Sequence, residues 1–379
     1  MKILFHINSL GLGGAERVVS ILANAFCKMG YDVVLATEWE SEREYSLDPQ
    51  IKRVSVGLSD SEAPKGRIRK IILRHTRLRA CIAKEKPDLV ISFCVKANYR
   101  AAFSMLGMRI PLLVSVRNDP KIDYAPHKFS TFLMEKKAAG CVFQTREAMS
   151  FFSPAFRKKS QIIYNPLTDA FLEDAKKLYD SLPQKPDGSI LRTKEIVAVG
   201  RITEQKNHKL LIQAFSQIAS DYPDYSLKIY GEQENAALAS AIQKEIKEKG
   251  LEKRIHLMPP SKQIQNEIAD AAFFVLSSDY EGMPNSLLEA LALGLPCIST
   301  DCPCGGPAML IQPGKTGLLV PVGDCKALQS AMKKYMDDPD YAANLGNKAR
   351  AIRENVKEST IVKAWDDFAK EIVKLHQVT

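Results

Sequence analysis

Short apolar runs alternate with segments of helical apolar spacing along most of the chain. In the first half, the runs that predict β-strands are residues 2–7, 32–37, 89–93, 112–116, 141–144 and 161–164. Residues 15–29 carry apolar side chains at the spacing of one helical face, and Gly30 predicts the end of that helix. A strand, a Gly-rich turn, a helix and a strand in succession indicate a parallel βαβ unit. Its repetition predicts an open, doubly wound parallel sheet.

The same alternation restarts after a polar stretch. Residues 181–189 are rich in Pro, Gly and Ser and predict a linker. Beyond them, strands are expected at 196–199, 226–230, 255–257, 273–276, 296–299 and 317–319, and helices at 209–220 and 236–249. An amphipathic helix is expected at 360–375. The pattern therefore predicts an α/β fold class with two domains, residues 1–180 and 190–359.

Length and composition narrow the class of protein. The chain has 379 residues, more than one typical domain, and its 45% hydrophobic and 26% charged residues exclude disordered and collagen-like chains. The longest apolar runs fall short of the roughly 20 residues that span a bilayer. The N-terminus lacks the apolar region of a signal peptide. We therefore expect a cytoplasmic protein.

The net charge suggests what kind of partner the protein binds, and the cysteines and acidic residues show whether a metal site is expected. The net charge of +9 suggests anionic partners such as phosphates, nucleic acid or an acidic membrane surface. The eight cysteines form no Cys-x-x-Cys pair, which predicts reduced thiols and no zinc site. Asp338 and Asp340 match a D-x-D metal motif, but they lie between helical segments instead of at a strand end. No metal site is expected.

Gly13 and Gly14 lie in the turn between the first strand and its helix. The stretch resembles the dinucleotide fingerprint G-x-G-x-x-G, but Glu16 occupies the last glycine position, which argues against a nicotinamide cofactor. Glycines allow a ligand to approach the backbone closely, and a helix start favours an anion. A tight turn without a ligand explains the residues equally well.

Gly200, Arg201 and Lys206 follow the first strand of the second half. A guanidinium fork and a compact ammonium suit a diphosphate. An ordinary solvated loop is the alternative, and this stretch alone favours it.

Residues 281–289 contain two glutamates, Glu281 and Glu289, at the start of a predicted helix. The helix start can bind phosphate oxygens, so Glu289 is expected to point away from them, towards a ribose diol, while Glu281 holds sugar hydroxyls. Ser286 and Glu289 also match a capping box, and the two interpretations are compatible. The loop at residues 305–307 follows the next strand, and we expect it beside the Glu281 loop.

Two further stretches in the first half carry charge. Arg117, Asn118 and Asp119 end a strand, where they suit substrate contact or cap the next segment. Residues 65–86 hold nine cations and one acid. An apolar stripe at helical spacing runs through this segment, formed by Ile68, Ile71, Ile72, Leu78 and Ile82. A helix near anionic lipid and a core-facing helix with a solvated basic face are equally consistent, whereas the lack of aromatic residues argues against nucleic acid.

Taken together, the motifs resemble the nucleotide-sugar glycosyltransferases of family 4, which adopt the GT-B fold. The resemblance spans nearly the whole chain. It implies two facing Rossmann-like, doubly wound parallel-sheet domains, with the acceptor held by residues 1–180 and the donor by residues 190–359. It also implies that a crossover helix within 360–379 packs back on the first domain. Such enzymes transfer sugar with retention of configuration and need no metal or other cofactor.

The resemblance also implies roles for individual residues. Arg201 and Lys206 would hold the donor diphosphate, and together with Glu281 and Arg117 they form the expected catalytic set. The donor site would comprise Gly13, Gly14, Gly200, Arg201, Lys206, Glu281, Gly282, Met283, Pro284, Asn285, Ser286, Leu287 and Glu289. The acceptor site would comprise Glu16, Arg117, Asn118 and Asp119. Many members of the family carry a histidine where this chain has Arg117, and a guanidinium only donates hydrogen bonds.

The expected activity is transfer of a hexose or N-acetylhexosamine from a nucleoside-diphosphate sugar, with UDP preferred over GDP or ADP. The expected acceptor is a glycan, free or linked to polyprenyl diphosphate, in the synthesis of a surface polysaccharide such as capsule or lipopolysaccharide. This acceptor and the basic segment 65–86 suggest a peripheral location on the inner face of the plasma membrane. A GT-B nucleotide-sugar epimerase and a non-catalytic nucleotide-binding module are the alternatives.

Overall fold

The computed structural model of the protein describes residues 1–59, 61–62, 66–185 and 190–378. Lys65, the first cation of the basic segment, lies outside the described residues. So do residues 186–189 of the expected linker and residue 379 at the end of the expected crossover segment.

The chain divides into two compact units. Unit 1 comprises Met1–Pro166 and Glu358–Thr379, and unit 2 comprises Leu167–Lys357. This division differs from the expected boundary at residues 180–190, because a helix at Asp169–Ser181 packs against helices of unit 2.

Unit 1 is built on a parallel sheet. Its strands are β1 (Lys2–His6), β2 (Asp32–Thr37), β3 (Lys52–Ser55), β4 (Leu89–Phe93), β5 (Leu112–Val116), β6 (Gly140–Phe143) and β7 (Ser160–Ile162). They lie in the order β3-β2-β1-β4-β5-β6-β7, and each neighbouring pair is parallel. Its helices are α1 (Gly14–Lys28), α2 (Arg67–Glu85), α3 (Val95–Ser104), α4 (Pro120–Asp123), α5 (Lys128–Lys137), α6 (Arg146–Ser150) and α7 (Pro154–Arg157).

Unit 2 repeats this architecture. Its strands are β8 (Glu195–Val199), β9 (Ser226–Tyr230), β10 (Ile255–Met258), β11 (Phe273–Leu276), β12 (Cys297–Thr300) and β13 (Leu318–Val320), in the parallel order β10-β9-β8-β11-β12-β13. Its helices are α8 (Asp169–Ser181), α9 (His208–Ser216), α10 (Ala236–Glu248), α11 (Ile264–Ile268), α12 (Asn285–Leu293), α13 (Gly306–Leu310), α14 (Cys325–Asp337), α15 (Pro339–Ala349) and α16 (Ile352–Val356). The expectation of two Rossmann-like domains is confirmed.

The last helix, α17 (Glu358–Val378), packs against unit 1. Trp365 is fully buried and stacks on Phe93 of β4 at a centroid distance of 5.4 Å. The Tyr31 hydroxyl donates to Asp366 Oδ1 at 2.5 Å. The amphipathic pattern thus marks a helix whose apolar face completes the core of unit 1, as the expected crossover helix requires.

The topology decides which loops can form a site. In each parallel sheet the carboxyl ends of the strands share one edge, and the loops that follow β8, β11 and β12 are neighbours there. The Glu281 backbone N–H donates to Pro303 O at 3.2 Å, which confirms that the Glu281 loop lies beside the loop after β12. In unit 1, the residues after β1 and β5 lie on the corresponding edge.

Candidate active site

Lys206 lies on the loop after β8, and the stem of its side chain packs against Gly200. Residues 204–206 form a single 3-10 turn, and Asn207 caps α9 by accepting from the Leu210 N–H at 3.2 Å. A Cβ on Gly200 would lie 3.1 Å from the aliphatic stem of Lys206. Glycine at this position therefore gives the lysine room to fold back over the end of the strand.

Lys206 and Glu281 form the central contact of unit 2. Lys206 Nζ lies 2.5 Å from Glu281 Oε1, and the two side chains are only 13% and 7% exposed. The Ser278 hydroxyl donates to the same carboxylate oxygen at 2.7 Å. The sequence predicted separate roles for these residues at the diphosphate and the sugar, and the structure joins them in one buried ion pair.

Hydrogen bonds brace the two loops that carry this pair. The Ser277 hydroxyl donates to Lys206 O at 3.0 Å, and Gln205 Nε2 donates to Tyr280 O at 2.9 Å. Asn207 Nδ2 donates to Asp279 Oδ1 at 2.7 Å. These contacts fix the ammonium and the carboxylate relative to each other, as a preorganised site requires.

Arg201 is not brought to Lys206 and Glu281. Its guanidinium donates to both carboxylate oxygens of Glu234 at 3.1 Å, and the two side chains are about half exposed. Exposed pairs of this kind contribute roughly 0–1 kcal/mol, so a ligand phosphate can compete for Arg201 at little cost.

The Glu281 loop leads directly into α12. The helix begins at Asn285 with Pro284 as its N-cap, so Ser286 lies inside the first turn and the expected capping box is wrong. The first-turn N–H groups of any helix lack intrahelical acceptors and suit an anion. Glu289 lies one turn further on and is buried, as are Gly282, Met283, Pro284 and Leu287, whereas Asn285 and Ser286 are partly exposed.

A glycine allows the loop after β12 to pass close to the Glu281 loop. A Cβ on Gly306 would lie 1.6 Å from Gly282 O, so any side chain there would displace backbone. Cys304 and Gly305 both have positive φ, 73° and 72°, which gives this loop its sharp turn. Burial raises the pKa of the Cys302 thiol to about 12, so this cysteine is uncharged at neutral pH.

In unit 1, the start of α1 already has a carboxylate beside it. Gly13 is the N-cap and Gly14 the first helical residue. A Cβ on Gly13 would lie 2.2 Å from Glu16 Oε2, which shows that this side chain turns back onto the helix start. The carboxylate of Glu16 therefore lies where the sequence suggested an anionic ligand, and it complements the helix dipole.

Arg117 follows β5, and the hydrogen-bond partners of its side chain in the described part of the chain are neutral. Its guanidinium donates to Asn165 Oδ1, approaches the Ser115 hydroxyl at 3.5 Å and lies 5.6 Å from the centre of the Phe93 ring. Burial lowers the pKa of Arg117 to about 10, so the group remains a cation at neutral pH. The charge of the Glu16 carboxylate opposes this lowering of the pKa, and the partly exposed guanidinium can bind an anion.

Asn118 and Asp119 organise the next turn. The Asp119 side chain is buried and caps α4 by accepting from the Lys121 N–H at 2.9 Å. Asn118 hydrogen-bonds the Asp123 carboxylate, which opposes the rise in the pKa of Asp123 that burial causes. Asp119 thus matches the capping alternative, and the acceptor roles of Glu16, Arg117, Asn118 and Asp119 stay predictions.

Sequence reasoning missed residues that hold the site together. Gln144 Nε2 donates to Asn165 Oδ1 at 2.8 Å, and both side chains are buried. Both follow strands of the same sheet, β6 and β7, so polar residues immediately after strands were the available signal. Ser278 and Asp279 lie just after β11 and carried the same signal, whereas Asn207 lies at the start of α9 and did not.

The described residues provide neither a cluster of metal ligands nor a helix that could span a membrane. Within the described ranges, no three His, Cys, Asp or Glu side chains cluster as metal ligands. Of the helices in the described part of the chain, none combines the length and apolar character needed to cross a bilayer.

Two family models match this chain, one in each half. The family model "Glycosyltransferase Family 4" matches residues 12–166, and "Glycosyl transferases group 1" matches residues 184–352. The second match contains β8, β11, the Lys206–Glu281 pair and α12.

Similar proteins include curated relatives and a solved structure. The exopolysaccharide phosphotransferase SCO2592 of Streptomyces coelicolor is 30% identical over 261 residues, which are 66% of this chain and 27% of that protein. The chain therefore spans only about a quarter of that relative. The GalNAc-alpha-(1->4)-GalNAc-alpha-(1->3)-diNAcBac-PP-undecaprenol alpha-1,4-N-acetyl-D-galactosaminyltransferase of Campylobacter jejuni is 24% identical over 380 residues, covering 98% of this chain and 99% of the relative.

Among solved structures, Anabaena HepE in complex with UDP and glucose superposes with a TM-score of 0.79 at 18% identity, covering 98% of this chain and 100% of HepE. At this identity the likeness concerns the fold. The two family matches, the parallel sheets and the structural neighbour agree. The chain belongs to the family 4 glycosyltransferases and has the GT-B fold.

Proposed function

We propose that the protein transfers a hexose or N-acetylhexosamine from a UDP-sugar, with retention and without a metal ion, to a glycan acceptor in surface polysaccharide synthesis. The observation that carries this proposal is the buried Lys206–Glu281 pair, whose glutamate lies on the loop that leads into α12. The pair provides a cation for the leaving phosphate and a carboxylate for sugar hydroxyls, and the start of α12, which suits an anion, follows on the same loop as the carboxylate.

Two relatives support the choice of substrates. HepE was solved with UDP and glucose, and the Campylobacter enzyme is named for an acceptor on undecaprenyl diphosphate. We therefore propose UDP as the nucleotide and a polyprenyl-diphosphate-linked glycan as the acceptor. Such an acceptor is consistent with a protein that works in the cytoplasm at the inner face of the membrane and contacts anionic lipid through α2.

The proposed chemistry follows from the charges. The bond between the sugar C1 and the phosphate oxygen breaks, and the acceptor oxygen attacks C1 from the same face. The departing phosphate oxygen takes the acceptor proton, which yields UDP and the new glycoside. Lys206, the start of α12 and Arg201, once it leaves Glu234, stabilise the negative charge that develops on UDP. One such preorganised donor contributes about 2.7–4 kcal/mol in other enzymes.

Glu281 and Glu289 are assigned to binding in this scheme. Glu281 is held by Lys206 and Ser278, so it orients sugar hydroxyls and is not proposed as a nucleophile. Glu289 is proposed to bind the ribose. Arg117, Asn118, Asp119 and Glu16 are proposed to face the acceptor.

The test is a panel of UDP-, GDP- and ADP-sugars, first by thermal shift and then by mass spectrometry with a polyprenyl-diphosphate-linked N-acetylglucosamine acceptor. We expect UDP-sugars to stabilise the protein and the sugar of one of them to be transferred in the presence of chelator. NMR should show that the product has the same anomeric configuration as the donor. Lys206→Met is expected to reduce transfer at least a hundredfold. Lys209→Met, which removes an exposed lysine of α9, is the matched control.

Each alternative has its own outcome. If an epimerised nucleotide sugar forms without acceptor, the protein is an epimerase and not a transferase. Tight UDP binding without turnover on any acceptor would indicate a binding module. Transfer that chelator abolishes and Mg²⁺ restores would overturn the metal-independent mechanism, and an inverted product would overturn retention.

A further inference from the structure

Several large apolar side chains of unit 1 are exposed to solvent and do not pack in its core. On α2, Ile68 is 76% and Ile72 55% exposed, whereas Leu78 and Ile82 on the same helix are fully buried. The apolar stripe of α2 therefore leaves the core over its first two turns. On α5, Phe129 is 72% and Phe132 57% exposed.

These side chains belong to one region of unit 1. Helix α3 packs against both α2 and α5. The His75 ring of α2 lies 5.6 Å from the Phe103 ring of α3, which lies 6.5 Å from the Phe129 ring of α5. Side chains three or four residues apart on a helix are neighbours, which extends this chain of rings to the exposed isoleucines and to Phe132. We call Ile68, Ile71, Ile72, Phe129 and Phe132 the apolar face.

Exposed cations lie on the same two helices as the apolar face, and few acids oppose them. Exposed basic residues on the two helices include Arg67, Arg69, Lys128 and Lys136. Lys136 Nζ lies over the Phe132 ring, 5.5 Å from its centre. This is the arrangement in which a lysine stem covers apolar surface while its charge reaches an aqueous or anionic layer.

The acids on the same helices do not cancel these charges. Glu85 is the acid of α2, lies at its far end and is buried between Lys2 and Lys52. Glu135 of α5 is only partly exposed and accepts from the Ser153 hydroxyl.

We propose that the apolar face is a membrane-docking surface, with Phe129 and Phe132 of α5 inserted among the acyl chains of an anionic leaflet beside the first turns of α2. Exposed aromatic and aliphatic residues flanked by cations are the chemistry of interfacial binding, and anionic lipid supplies the opposite charge. A second copy of the chain is a poorer partner, because two such basic faces would bring like charges together.

This inference rests on the proposed function, in which the acceptor is anchored in a bilayer by its polyprenyl chain. It adds an element that the basic segment alone does not contain, since α5 lies outside residues 65–86. Two helices that hold unit 1 at the lipid surface would hold the acceptor-binding residues where the polyprenyl diphosphate emerges.

The experiment is flotation of the full-length protein with vesicles of phosphatidylcholine, with and without 30% phosphatidylglycerol. We expect binding to the anionic vesicles, weakened by 0.5 M salt, and at least tenfold weaker binding for Phe129→Ser/Phe132→Ser. The matched control is Leu191→Ser/Val322→Ser, which removes two exposed apolar residues of unit 2 and should bind as wild type does. Because the substituted side chains are exposed, circular dichroism and melting temperature should not change.

A second readout reports insertion directly. Phe129→Trp should give a blue shift of tryptophan emission with anionic vesicles and none with phosphatidylcholine alone. Wild-type binding by the Phe129→Ser/Phe132→Ser protein would overturn the proposal. A wild-type dimer that these substitutions dissociate would assign the face to a second copy instead.

The two proposals fail separately. Vesicle binding by a protein that transfers no sugar would keep the docking surface and remove the proposed function. The opposite result has two parts: wild type and Phe129→Ser/Phe132→Ser transfer sugar equally well to a soluble short-chain acceptor, and wild type binds no vesicles. That result would keep the proposed function and remove the docking surface.

Discussion

The buried ion pair of unit 2 makes a quantitative prediction. Glu281→Gln removes the carboxylate charge but keeps an oxygen that can accept from Ser278, and Lys206→Met removes the ammonium while keeping most of the stem. Each single substitution leaves the other group largely buried without its counter-charge, whereas the double substitution removes both charges. A double-mutant cycle therefore isolates the interaction between the two side chains.

The geometry sets the magnitude. At 2.5 Å and an effective dielectric constant near 20, two unit charges attract by about 7 kcal/mol, most of which offsets the loss of hydration of two side chains that are 13% and 7% exposed. Removing one partner of a buried pair costs about 3–5 kcal/mol, because an unpaired charge remains. We expect each single variant to lose about 3 kcal/mol and the double variant little more, which gives a coupling energy of about 2–3 kcal/mol.

The assay is urea unfolding, with hydrogen exchange of β8 and β11 amides to follow unit 2. The internal control is the exposed pair Lys333–Asp221, at 2.9 Å with side chains 41% and 55% exposed, whose cycle should give less than about 1 kcal/mol. UDP should stabilise Glu281→Gln more than wild type, because its phosphate replaces the missing counter-charge. Additive single effects, or a coupling no larger than that of the control pair, would refute the reasoning.

Four other substitutions and conditions test the structure. Trp365→Ala should destabilise unit 1 by about 3–5 kcal/mol in urea unfolding, since it empties a fully buried site beside Phe93. Gly306→Ala should cost about 1–3 kcal/mol by the same measurement and weaken UDP binding in calorimetry, since its Cβ would meet backbone. Burial lowers the pKa of His208 to about 4, below its unfolded value of about 6.5. The unfolded chain therefore binds the proton first, and stability should fall by about 3 kcal/mol as the pH drops from about 6.5 through about 4, a loss that His208→Gln should remove. Arg117→Met should leave stability unchanged or raise it by about 1 kcal/mol, since it removes a partly buried cation whose hydrogen-bond partners are neutral, yet lower transfer at least tenfold.

Much of the fold is legible in the sequence because buried parallel strands are nearly continuous apolar runs. The runs at 89–93, 112–116, 226–230 and 273–276 coincide with β4, β5, β9 and β11. β3 has no such run. It is an edge strand in which three of the four residues are polar and none is buried, so only its pairing with β2 reveals it.

The site was predictable in its parts and not in its pairings. Strand ends and glycines located Lys206, Glu281 and Gly306, because chemistry at the carboxyl edge of a parallel sheet follows from topology. The sequence contained no information that Lys206 Nζ would meet Glu281 across 75 positions, or that Arg201 would turn to Glu234. The capping box failed for a local reason: Pro284 takes the N-cap one residue before the helix begins at Asn285.

Both cations proposed for the donor diphosphate are paired with carboxylates, but the two pairs differ in what a ligand must displace. The Arg201–Glu234 pair is about half exposed, so water already weakens it and a phosphate gains the guanidinium at little cost. The Lys206–Glu281 pair is buried, so separating it would leave a carboxylate without a partner. A donor that keeps this pair and adds to it, with phosphate on one side of the ammonium and sugar hydroxyls on the carboxylate, avoids that cost. The ion pair would thus tie recognition of the phosphate to recognition of the sugar, so that a nucleotide without its sugar satisfies only half of the site.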